Sequence, residues 1–139
     1  MRLACAALAL LLLVGCGNPP QASTPAPPNS PQTQVLNIDK TLADSINDAV
    51  KASISLRDQG KMSQANVTLI QGWAKSAVAV DDAIATELGS ADLWATQKTK
   101  ILAMLPSLKV PAVSGLDPTI QADFVAITAI IAQIQAQVK

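Results

Sequence analysis

The 139-residue chain contains no histidine and no tyrosine, only 2% of its residues are aromatic, and it has two cysteines. The missing histidines exclude imidazole chemistry, which serves most proton transfers near neutral pH and many metal sites. Charge of one sign is lacking too, since ten Lys and Arg balance ten Asp and Glu. Phosphate backbones are held by a basic excess, so nucleic acid is not an expected partner. No motif places a nucleophile beside a base, so neither an enzyme nor a cofactor site is expected. What the chain does have is aliphatic bulk, with half of its residues apolar.

The first sixteen residues read as a charged start at Arg2, an apolar run from Leu3 to Val14, and then Gly15-Cys16. Such a run is too short to span about 30 Å of hydrocarbon and has the layout of an export signal. The stretch Leu13-Val14-Gly15-Cys16 resembles the lipobox of bacterial lipoproteins. That resemblance implies that residues 1–15 are a signal peptide, removed just before Cys16, and that the Cys16 thiol carries a diacylglyceryl group. Two or more acyl chains, at about 0.8 kcal/mol per buried methylene, hold a protein on a membrane almost permanently. Residue 17 is Gly, not the Asp that signals inner-membrane retention in many such lipoproteins, so the resemblance leans to the outer membrane, facing the periplasm. Cys5 would leave with the signal peptide and Cys16 would be consumed by lipid, which leaves no thiol for a disulfide.

Residues 16–34 are expected to be the lipidated cysteine and a Pro-rich linker, because Asn18 to Gln34 holds six of the nine prolines among Ser, Thr, Gln and Asn. Such a composition cannot bury enough apolar area to offset its ordering entropy. In polyproline II form a spacer from Gly17 to Gln34 would reach roughly 55 Å.

From Val35 to Lys139 apolar residues recur at spacings of three and four, and no stretch alternates as a strand would, which predicts an all-α domain, a four-helix up-and-down bundle over 35–139. The first helix is expected over Ile38 to Asp58, with Asn37 as cap and Gly60 past its end. Val35, Leu42, Ala49 and Leu56 repeat by seven along it. Helix two should start at the Ser63 cap and stop before Gly89. Helix three should follow almost without a loop, capped by Ser90 and ended by Pro106. Helix four should start at Asp117-Pro118, a cap followed by a proline whose missing N–H costs nothing there. Ser107 to Leu116 reads as a loop whose Leu108, Val110, Val113 and Leu116 cover one end of the bundle. Helix four is the one candidate for a second membrane anchor, but Asp123, Gln133, Gln135 and Gln137 argue against it.

A helical wheel puts Asp81 within the apolar sector of helix two and Lys98 within that of helix three. If the chain turns between Gly89 and Ser90, the two stand eight residues from the turn on either side and should form a buried ion pair that fixes the register of the helices. Trp73 and Trp94 are expected to pack in the core rather than to stack on a ligand. Asp81-Asp82 and the Asp44, Asp48 pair lack the oxygen-rich, Gly-containing loop that a hard cation needs, and read as a solvated acidic face. The expected function is therefore a non-enzymatic, lipid-anchored module of the bacterial envelope that presents a helical bundle to a protein partner. The alternative is a carrier of a small apolar ligand or lipid in a cavity between the helices. A filled core with an exposed apolar groove would favour the first, and an internal cavity the second.

Overall fold

The computed structural model describes residues 27–139; the expected signal peptide, Cys16 and Gly17 lie outside the described residues. Four α-helices follow one another: α1 (Pro31–Asp58), α2 (Gln64–Leu88), α3 (Trp94–Met104) and α4 (Pro118–Val138), with a 3₁₀ turn at Leu105–Leu108 after α3. The fold is an all-α four-helix bundle, as the period of the sequence requires.

The helix starts follow from local chemistry. Ser63 Oγ accepts a hydrogen bond from the Asn66 N–H at 3.2 Å, and Asp117 Oδ1 accepts one from the Thr119 N–H at 2.9 Å, each satisfying one of the backbone donors that a helix start leaves free. The same device sets α1, where Ser30 Oγ accepts from the Thr33 N–H at 3.1 Å and Pro31 takes the first helical position. So α1 begins at Pro31, not Ile38, and the last residues of the expected linker, Pro31 to Gln34, are helical. Their proline and glutamine content reads as spacer, while Ser30-Pro31 is the same cap-and-proline start as Asp117-Pro118.

At the other end of α1, Gly60 adopts φ 71°, a left-handed conformation that costs glycine little. Its N–H donates to the Arg57 carbonyl, and the Lys61 N–H donates to the Leu56 carbonyl, both at 2.8 Å. This pair of bonds is the Schellman closure, which satisfies carbonyls that the helix end would leave free and reverses the chain into α2.

Buried residues of α1 step by four and three along one seam: Val35, Asp39, Leu42, Ile46, Ala49, Ser53 and Leu56. Those of α2 step the same way, through Val67, Ile70, Ala74, Ala77, Asp81 and Ile84. Helices with a common seven-residue period interlock side by side, and α1 packs most extensively against α2 and α4. The short α3 closes the bundle between α2 and α4. Ile46, Ile70, Ile84, Ile101, Ile127 and Ile134 are all fully buried, each contributing about 1.5–3 kcal/mol of burial. Leu108 and Leu116 are buried as well, so the segment before α4 does cover one end of the core.

Candidate functional site

Two features stand out once the core is in place: a carboxyl pair inside the bundle and an apolar groove on its surface. Asp39 is 2% exposed and Asp81 7%, and they meet across the seam between α1 and α2. Burial first, and then the negative charge on Asp81, push the Asp39 carboxyl up from 3.8 to about 8. Asp81 is also raised, mainly by burial, although its hydrogen bond with Asp39 pulls the other way; the exposed Asp82 adds to the rise in both. Two carboxylates this close cannot both ionise cheaply, so near neutral pH Asp39 holds the proton and donates it to Asp81. The Oδ1 atom of each finds no hydrogen-bond partner among the described residues.

This arrangement replaces the expected Asp81–Lys98 ion pair. The α2–α3 connection is not a turn between two residues: Gly89 caps the end of α2, and α3 starts only at Trp94 with Leu93 at its cap. Adding these residues shifts α3 along α2 by about one helical turn, roughly 5 Å. Lys98 is half-buried and donates from Nζ to the Lys139 carbonyl at the end of α4, at 3.3 Å. The residue that α3 turns inward is its neighbour Gln97, 1% exposed. Gln97 Nε2 donates to the Glu87 carbonyl at 3.1 Å and to the Ser90 carbonyl at 3.2 Å, while its Oε1 accepts from Gln32 Nε2 at 3.2 Å. Lys100, rather than Lys98, carries the ion pairs of this turn, with Asp92 and Glu87.

The other sequence candidates fall as follows. Asp81 is buried rather than part of a solvated face, whereas Asp82, Asp44 and Asp48 are exposed, and Asp48 pairs with Lys51 at 3.4 Å. Among the described residues no group of three or more His, Cys, Asp or Glu side chains converges on a point that could hold a metal ion. Both tryptophans pack against the core. Trp73 meets Phe124 edge to face at 5.4 Å between ring centroids, and its indole N–H donates to the Lys109 carbonyl at 3.1 Å. That bond ties the segment after the 3₁₀ turn to α2 and sets one wall of the groove.

The groove runs between that segment and α4, with a volume of about 550 Å³. Val110, Pro111, Val113 and Leu116 form one wall; Phe124, Val125, Ala129 and Ala132 form the other. Among the described residues Gln121 and Thr128 are its only polar side chains, and the Thr128 hydroxyl donates to the Phe124 carbonyl at 2.8 Å. Among the described residues no titratable group lines it, so these side chains offer apolar contact and no acid, base or nucleophile. Val125 is 71% exposed. The sequence holds a signal for this face, because α4 carries apolar residues on more of its circumference than one seam can bury. It holds one for Asp39 too: stepping four and three from Val35 lands on Asp39 and Ser53 as well as on Leu42 and Ala49.

Compared with known proteins, the chain matches no family, no curated protein and no solved structure.

Proposed function

We propose that the chain is a non-enzymatic, lipid-anchored protein of the bacterial envelope, attached through Cys16 and facing the periplasm from the outer membrane, whose bundle offers the α4 groove to a protein partner. The observation that carries this reading is an open, uncharged groove of about 550 Å³ beside the buried core. Exposed apolar grooves with few polar groups are where soluble proteins commonly meet a ligand or partner. The Pro-rich segment before Ser30 supports the anchor, since it would hold the bundle off the bilayer with the groove accessible.

Two experiments test it. Cys16→Ala should abolish labelling by fatty acid and release the protein from membranes; a variant that still sediments with membranes like the wild type would place the anchor elsewhere. A photoreactive residue at Val125 in the anchored protein should yield a protein adduct, and its absence would remove the groove from the reading. The volume also lies within the roughly 300–1,000 Å³ of small-ligand sites, which keeps an apolar-ligand carrier as the second reading. Saturable uptake of a fluorescent fatty acid, lost in Val113→Glu, would favour that one.

A further inference from the structure

Helix α4 carries two apolar seams. The inner one, Ile120, Phe124, Ile127, Ile134 and Val138, is buried in the bundle. The outer one, Ala122, Val125, Ala129, Ala132 and Ala136, steps by three and four in the same seven-residue period, and every member is exposed. An 18-residue window of α4 has a mean hydropathy of 1.3, yet only 28% of it is buried. A seam of this period fits another helix of the same period, and the inner seams of α1 and α2 are already engaged within the bundle.

We propose that the outer face of α4 is a homodimer surface, in which α4 of a second copy of this chain lies parallel to the first and enters the groove beside it. Three observations select a second copy. Between Asp123 and Lys139 the helix has no charged residue, so two copies meet there without like-charge repulsion. The seam is mostly alanine, which lets two backbones approach closely, with Val125 as the one projecting side chain. The groove wall formed by Val110 and Val113 stands beside the seam, so a twofold axis along α4 puts each helix against the other copy's wall and closes both grooves at once. A bilayer is a poorer fit, because interfacial helices carry Lys or Arg beside their apolar face and aromatic residues within it, and the outer face of α4 has neither basic residues nor Trp.

The size of the face sets the strength. A 21-residue helix is about 31 Å long, and a stripe about 10 Å wide buries roughly 300 Å² per copy, with the groove wall adding to it. That total falls below the roughly 1,200 Å² of stable complexes, so the contact is weak between free molecules. Anchoring both chains in one membrane raises their effective concentration and selects the parallel arrangement, with both tethers leaving at the same end. In this respect the inference rests on the proposed lipid anchor.

Cysteine cross-linking of the full chain in its native membrane tests it. In a parallel dimer each seam residue faces its own copy, so Ala122→Cys and Ala129→Cys should each give a disulfide-linked dimer under mild oxidation, and Val125→Glu in the same chains should cut the yield at least about tenfold. All three sites are exposed, so the fold is not at stake. Cross-linking at Ala129 without Ala122 would indicate antiparallel packing and overturn the arrangement. No dimer at either site overturns the inference. In that case, a Val125 photoadduct to a different protein leaves the docking function standing, an adduct to phospholipid assigns the face to the bilayer, and no adduct removes both.

Discussion

Raising the pH from about 5 to about 8 should lower the melting temperature of the bundle by at least about 10 °C. The cause is the carboxyl pair. Asp39 is pushed from 3.8 to about 8 in the folded chain, so between those values the folded state binds a proton that the unfolded state has released. A group raised in this way gives its full stabilisation below 3.8 and loses it as the pH climbs through about 8. Across three pH units the loss is on the order of 4 kcal/mol, and each kcal/mol moves the melting point of a domain this size by about 4–8 °C. Asp92, lowered by its hydrogen bond with Lys100, and Asp117, lowered by its bond to the Thr119 N–H, act in the opposite sense, but their stabilisation is lost only below 3.8, outside this window. Asp123, raised by burial and by Asp48, adds to the decline.

The variant Asp39→Asn keeps a donor facing Asp81 and removes the Asp39 titration, so its melting temperature should fall much less between the two pH values, the remainder coming from Asp81 and Asp123. Replacing both residues by leucine should stabilise the bundle at pH 8, because well-packed apolar side chains commonly outperform buried charged groups of similar volume. A wild-type melting point that stays constant or rises between pH 5 and pH 8 would show that the two carboxyls do not share a proton.

The pair also shows how far the sequence could be read. Seam positions and several helix ends are set by short-range chemistry and are legible, since Ser63, Asp117-Pro118, Gly60 and Gly89 sit where caps and turns demand, whereas the expected starts of α1 at Asn37-Ile38 and of α3 at Ser90 are not where the helices begin. Asp81 is legible as a charge within an apolar sector. Its partner is not, because pairing depends on the register of two helices, and register depends on how many residues the connecting turn consumes. The segment Ser90-Ala91-Asp92-Leu93 offers a cap at Ser90, yet Ser90 Oγ accepts from the Asp92 N–H at 3.3 Å within the turn, and α3 starts only at Trp94. The longer turn also lets α3 rotate about its own axis, and a rotation of about 100°, the angle between adjacent residues, is enough to exchange Lys98 for Gln97 at the inward position. The groove depends on a relation that is longer-ranged still, since Val110 and Val113 become a wall only when the indole N–H of Trp73 holds the Lys109 carbonyl. The Leu3 to Val14 run and Cys16 are read from sequence alone.

Gln97→Leu should destabilise the bundle by about 1–3 kcal/mol although leucine is the more apolar side chain in a fully buried position. Gln97 Nε2 is the donor that reaches the Glu87 and Ser90 carbonyls, and its Oε1 holds Gln32 at the start of α1, so one side chain ties the ends of α1 and α2 to α3. Leucine cannot donate: the Glu87 carbonyl keeps its bond from the Ser90 N–H, the Ser90 carbonyl loses the Gln97 donor, and a buried acceptor left without its donor costs about 1–3 kcal/mol. The effect should be concentrated in α3, whose Leu93 cap makes no side-chain hydrogen bond and whose start therefore depends on Gln97. Amide hydrogen exchange from Trp94 to Met104 should speed up more than exchange in the middle of α1. The nearly isosteric Gln97→Glu separates hydrogen bonding from packing. Near neutral pH its carboxylate would face the same carbonyls with no proton to give, and it should be worse than leucine; near pH 4, once protonated, it can donate again and should recover part of the loss. Equal stability of the Glu and Leu variants at both pH values would show that Gln97 contributes through shape alone.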